Sequence, residues 1–188
     1  MSAIAGQGVT NFKAIKFVLW LIIVSVVMMF AGLTSGYIVR QAEGNWTEFH
    51  LPDIFWFSTI AIVTSSLTMH WALLSAKKAD AVNQKRALWL SLVLGIVFLV
   101  CQWMAWVNLV SQKIYLAGNP SGSFLYIISG LHGLHIVAGL LLVVSSLIGV
   151  YRKIAPERNV FKMEIASIFW HFIDILWIYL FVFLLLNH

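Results

Sequence analysis

The sequence predicts an all-α integral membrane protein, a bundle of five transmembrane helices. Of its 188 residues, 61% are hydrophobic and only 10% are charged, with a mean hydropathy of +0.92, far from the balance of a soluble domain. No Asp, Glu, Lys or Arg falls between Lys16 and Arg40, Asp53 and Lys77, Arg86 and Lys113, or Lys113 and Arg152. Each gap exceeds the roughly 20 residues that a crossing helix needs. A fifth apolar stretch runs from Ile165 to the C-terminus and is interrupted only by Asp174.

The first predicted span, 17–39, follows a short Gly/Ala/Ser-containing tail and Lys13 and Lys16. A cleaved signal peptide is not expected, because the apolar run is longer than a typical h-region and more spans follow. Gly32 and Gly36 share one helical face; this is either a close-approach surface or chance in a glycine-tolerant helix. Pro52 suits the first turn of the second span, 54–76. The basic connection Lys77-Lys78-Ala79-Asp80 to Lys85-Arg86 leads into the third, 87–112. Gly118-Asn119-Pro120 is turn chemistry, so the fourth span is set at 122–151. Arg152, Lys153, Arg158 and Lys162 flank Pro156 before the fifth, 163–186. With no internal repeat and no long extramembrane stretch, residues 1–188 are expected to form one domain.

Five crossings put the termini on opposite sides. Lys13, Lys16, Lys77, Lys78, Lys85, Arg86, Arg152, Lys153, Arg158 and Lys162 fall on one side, against Arg40 and Lys113 on the other. The positive-inside rule then places the N-terminus in the cytoplasm and the C-terminus outside. The same clustering explains the net charge of +5 by topology, so nucleic acid is not expected as a partner. The single cysteine, Cys101, allows no intrachain disulfide.

The polar residues inside the spans are the candidate functional set. His132 and His135 lie in the fourth span, His171 and Asp174 in the fifth, and buried polar groups in a membrane are costly unless partnered. Consecutive spans are antiparallel neighbours by default. At 1.5 Å per residue, His132 lies about 15 Å from the outer edge and Asp174 about 18 Å from the inner edge of a core about 30 Å thick. Their depths match within a turn, as do those of His135 and His171. This set reads as a buried polar network, a proton relay, or a metal or heme site.

His70 and Trp71 near one end of the second span, and Arg40 at the end of the first, are candidate lipid contacts; for His70 the alternative is a hydrated imidazole. Trp46, Trp56 and Trp89 suit an interfacial belt, whereas Trp103, Trp106, Trp170 and Trp177 are expected to pack between helices. The basic connections suit anionic lipid.

Gly122-Ser123-Phe124, Gly130, His132-Gly133-Leu134-His135 and Gly139, followed by Trp170-His171-Phe172, Asp174 and Trp177, resemble the last two helices of subunit III of heme-copper respiratory oxidases. Ser65-Ser66, Trp71-Ala72, Ser75 and Gln102 extend the resemblance over nearly the whole chain, in the five-helix form of that family. It implies a non-catalytic accessory subunit of an oxidoreductase complex in a bacterial plasma membrane. The complex reduces dioxygen to water and pumps protons, with heme and copper held by subunits I and II. Subunit III packs beside subunit I, supports its stability and proton uptake, and holds phospholipid; on this reading no cofactor or metal binds the four polar residues. Two family glutamates are replaced here, by Val26 and Ala105. The electron donor, cytochrome c or quinol, and membership of a larger supercomplex stay open. A competing hypothesis is a heme-binding electron carrier with ligands on the fourth and fifth helices. A third, a proton-coupled transporter using Asp174, lacks the repeated halves common in such folds.

Overall fold

In the computed structural model, residues 2–44, 53–116 and 118–187 are described, with side chains from residue 12 onward. Five helices follow in order: α1 Ser2–Ala42, α2 Ile54–Lys77, α3 Ala81–Ser111, α4 Pro120–Tyr151 and α5 Pro156–Asn187. All five are long and apolar enough to cross a membrane. The helices outrun the predicted spans, most of all α1, which begins at Ser2 instead of residue 17. Apolarity marks where hydrocarbon begins, but backbone hydrogen bonding carries a helix past that boundary. Pro52 and Trp46 lie outside the described residues.

Connections are set by local chemistry. Asp80 caps α3 by accepting from the backbone N–H groups of Val82 (3.2 Å) and Asn83 (3.1 Å). Those bonds, with the Asn83 backbone contact the largest influence, hold its carboxyl below the usual range. Asn119 caps α4 through Ser121 N–H at 3.0 Å, with Pro120 at the first helical position, so the helix starts at 120 and not at 122. Helices α2, α3 and α4 each end in a left-handed residue, Ala79, Lys113 and Lys153. The following N–H groups turn back to the last-turn carbonyls, as in Asp80 to Ser75 and Ile154 to Gly149, the paired-bond geometry of a Schellman ending.

Helix α5 is the axis of the bundle, touching α1, α2 and α4, while α3 closes the ring between α2 and α4. Buried positions on α5 run Met163, Ala166, Trp170, Ile173, Trp177, Leu180 and Leu184, alternating by three and four as one helical stripe requires. The outward faces are just as apolar: Met28 is 70% exposed and Leu141 66%. Inside lie Ser58, Ser65, Ser91, Gln102, His132, Ser146, Ser167 and Asp174. Small and polar residues at helix contacts are expected where lipid tails compete equally for apolar side chains.

The tightest contact is made by glycine. A Cβ on Gly95 would stand 2.9 Å from Trp170 Cη2, and one on Gly139 would stand 3.0 Å from Trp170 Cε3 and 2.8 Å from Ile173 Cδ1. The Trp170 indole therefore occupies a slot cut by one glycine on α3 and one on α4. Gly36 faces the Phe124 ring at an ordinary 3.5 Å, and Gly32 has nothing within 4 Å. Gly139→Ala is expected to destabilise the protein by about 1–3 kcal/mol through overpacking, with Gly32→Ala near neutral; thermal melts of the two variants in one detergent check the difference.

Candidate functional site

Helices α4 and α5 carry the four intramembrane polar residues, but the structure does not join them by hydrogen bonds. His132 is fully buried in an aromatic box, its ring 5.0 Å from Trp177, 5.8 Å from Phe98 and 6.4 Å from Phe30 by centroid. Neither of its nitrogens, and neither oxygen of the buried Asp174, has a hydrogen-bond partner among the described residues. His135 turns back on its own helix, its Nδ1 lying 2.7 Å from the Leu131 carbonyl oxygen. Matching depths do not determine rotation about the helix axis, and the space beside His132 is filled by rings.

Asp174 and His171 instead face α2. His171 Nδ1 hydrogen-bonds with Ser66 Oγ at 2.6 Å, and the Ser66 hydroxyl also lies beside the Asp174 carboxyl, though too poorly placed to bond it. The His70 ring stands 6.2 Å from that of His171. Exposure rises along this series, from buried Asp174 through half-buried His171 to exposed His70. Ser66 is the residue that sequence reasoning missed as a member of the set. Its signal was the Ser65-Ser66 pair, which the family resemblance includes, in a span already rich in Ser and Thr.

Among the described residues, no group of three or more His, Cys, Asp or Glu side chains is placed to hold a metal ion. Val26 and Ala105 are both buried and apolar. Gln102 donates its amide to Ser58 Oγ at 3.4 Å, while its carbonyl oxygen has no partner among the described residues. Trp177 donates to Thr59 at 3.0 Å and Trp106 to Ser129 at 3.0 Å. Trp170 is buried, whereas Trp103 is 66% exposed, so it is not packed inside the chain as expected. Trp56 and Trp89 are exposed near helix ends.

Grooves open on the lateral surface. One, of about 580 Å³, lies between α1, α4 and α5 and is lined by Phe12, Ile15, Leu142, Ser145, Arg158 and Lys162. Beside it Lys16 pairs with Glu164 at 2.7 Å. Trp71 lines a second groove with Lys85 and Arg86. Arg40 lines a third, at the opposite end of the bundle, and pairs with Glu43. His132, His135 and His171 line none of these three.

The buried carboxyl gives a test. Asp174→Leu removes a polar group that lacks a partner among the described residues, so the melting temperature should match or exceed that of Asp174→Asn, by the equivalent of up to about 1–3 kcal/mol. Thermal dissociation of the purified assembly measures the order of the two. The reverse order would mean that Asp174 is hydrogen-bonded by a neighbouring chain.

Comparison with known proteins bears on the whole of this architecture. Residues 2–187 match the family described as cytochrome c oxidase subunit III. A probable cytochrome c oxidase subunit 3 of Nocardia farcinica is 34% identical over 91% of this chain and 86% of its own. The cytochrome c oxidase subunit 3 of Corynebacterium diphtheriae is 32% identical over 82% and 79%, and that of Thermostichus vulcanus 29% over 93% and 87%.

Proposed function

Because the chain belongs to the cytochrome c oxidase subunit III family, we propose that its five helices serve as a lateral brace for the redox subunits of a bacterial terminal oxidase. It is an accessory, non-redox subunit of a heme-copper oxidase, and a multi-pass membrane protein. In this reading the hemes and copper centres reside in subunits I and II, and the chain packs beside subunit I, supporting its integrity and proton uptake. The observation that carries the reading is the filled interior around His132. Three aromatic rings surround it, and an imidazole can ligate a metal only where one of its ring nitrogens is open to the ion. That favours a scaffold over the electron carrier, for which no observation speaks.

Two further parts of the reading concern the membrane. The apolar groove between α1, α4 and α5, with Arg158 and Lys162 at its rim, suits a phospholipid: chain against hydrocarbon, headgroup against cations. The ten basic residues on one side of the bundle support an N-terminus in the cytoplasm and a C-terminus outside, in the plasma membrane of a bacterium.

Gentle purification through a C-terminal tag is expected to bring down larger subunits carrying heme and copper, with the visible spectrum leaving along with them when the chain is stripped. Retention of a Soret band by the isolated chain would overturn the accessory reading. Orientation is tested separately. An alkaline phosphatase fused after Asn187 should be active, since that enzyme folds only outside the cytoplasm, and one fused after Arg152 should be inactive.

A further inference from the structure

One imidazole stands where hydrocarbon cannot satisfy it. Among the described residues of the apolar spans, His132 and Asp174 are buried, His135 and His171 are half-buried, and only His70 is an exposed imidazole or carboxyl group. The charge-free stretch from Asp53 to Lys77 has its midpoint at Ser65. His70 lies five residues further on, about 7.5 Å of helix rise from the middle of a core whose half-thickness is about 15 Å. That depth is inside the hydrocarbon, below the headgroup layer.

The His70 ring meets that of His171, 6.2 Å away by centroid, and makes no hydrogen bond among the described residues. His171 is held from behind: Ser66 Oγ takes up its Nδ1 at 2.6 Å, so Nε2 is the nitrogen left for a further partner. The carboxyl that could answer these two bases from within the chain, Asp174, is buried on the inner side, beside the Ser66 hydroxyl. The surround is aliphatic and exposed, with Val63 and Leu67 on α2 and Ile175 on α5. His70 lines none of the three grooves described above. Ionisable groups at such a depth are kept where a protein neighbour pairs with them.

We infer that the face between α2 and α5 is covered by a transmembrane helix of an adjoining redox subunit, which brings a carboxyl side chain to His70 and His171. Two neighbouring bases call for an acid, and an aliphatic rim that excludes water strengthens such a pair. Lipid tails would leave both imidazoles unpaired, and a second copy docked by the same face would bring two more bases against them. His70 thereby becomes a protein contact instead of the lipid contact or hydrated imidazole that its sequence position suggests. The inference rests on the reading of the chain as part of an oxidase, and it specifies which face and which side chains make the joint.

The test uses the oxidase complex in native-membrane nanodiscs, carrying the photoreactive p-benzoylphenylalanine at position 70 in place of His70. Illumination is expected to join the chain to a redox subunit, with the adduct mapped to a transmembrane helix within two turns of an Asp or Glu. Adducts to lipid alone, a cross-link between two copies of this chain, or a protein adduct with no acidic residue within two turns overturns the inference. A second measurement reads affinity in the purified complex. The concentration at which the chain half-dissociates in detergent is expected to rise about tenfold in His70→Leu, which strands the partner's acid, and by less in His70→Gln, which keeps a hydrogen bond. Equal dissociation of the parent and His70→Leu complexes overturns the inference. If the photoreactive variant does not assemble, the dissociation series decides. Heme and copper content is recorded in the same samples: an intact complex with lipid adducts removes only this joint, whereas a chain that never co-purifies with heme and copper removes the oxidase reading itself.

Discussion

The bundle depends on one tryptophan reaching between two glycines. Trp170 leaves α5 and enters a slot that Gly95 opens on α3 and Gly139 opens on α4, with one indole edge against each. The ring is fully buried, and it sets the rotation of the middle of α5. Asp174 follows one turn later on the same buried face, and Trp177 next, where it closes the box around His132. Moving this contact would shift Asp174 and Trp177, which follow it on the same helix.

In a water-soluble bundle the equivalent anchor would be supported by burial of a hydrophobic stripe. Here lipid solvates the outer faces as readily as the helices solvate each other, so the interior is distinguished by size and polarity. Hydroxyl side chains on α2 and α3 meet in hydrogen bonds: Thr68 Oγ1 and Ser91 Oγ lie 2.7 Å apart, and Ser65 donates to the Ser91 carbonyl at 3.2 Å. Aromatic contacts such as Phe98 on Trp177, at 4.9 Å, fill what remains. The interior space is taken up by the chain's own side chains.

The polar groups of the chain divide into three sets with different relations to the membrane. His132 and Asp174 are inside and unpartnered among the described residues, which makes them expensive to keep. Ser66, His171 and His70 lead outward from that interior across the face between α2 and α5. The cations gather at helix ends, where interfacial aromatic rings accompany them, as with Lys85 over Tyr151 and Lys16 at 5.8 Å from the Phe161 ring centre. The last set suits a seat at the membrane interface, while the first lies in the interior.

The chain's composition, its charge-free stretches and its ordered motifs were enough to reveal five helices and the family, because crossing a membrane requires length and apolarity that are written residue by residue. Turns were legible too: Asn119-Pro120 and Asp80 mark helix starts by chemistry that acts within a few positions. Rotation about each helix axis was not legible. With both faces apolar, hydrophobic periodicity carries no information about which side points inward, so depth alone suggested that His132 would meet Asp174. Only the tertiary packing decides otherwise, because the fit of Trp170 between Gly95 and Gly139 turns Asp174 toward Ser66 and leaves His132 among rings.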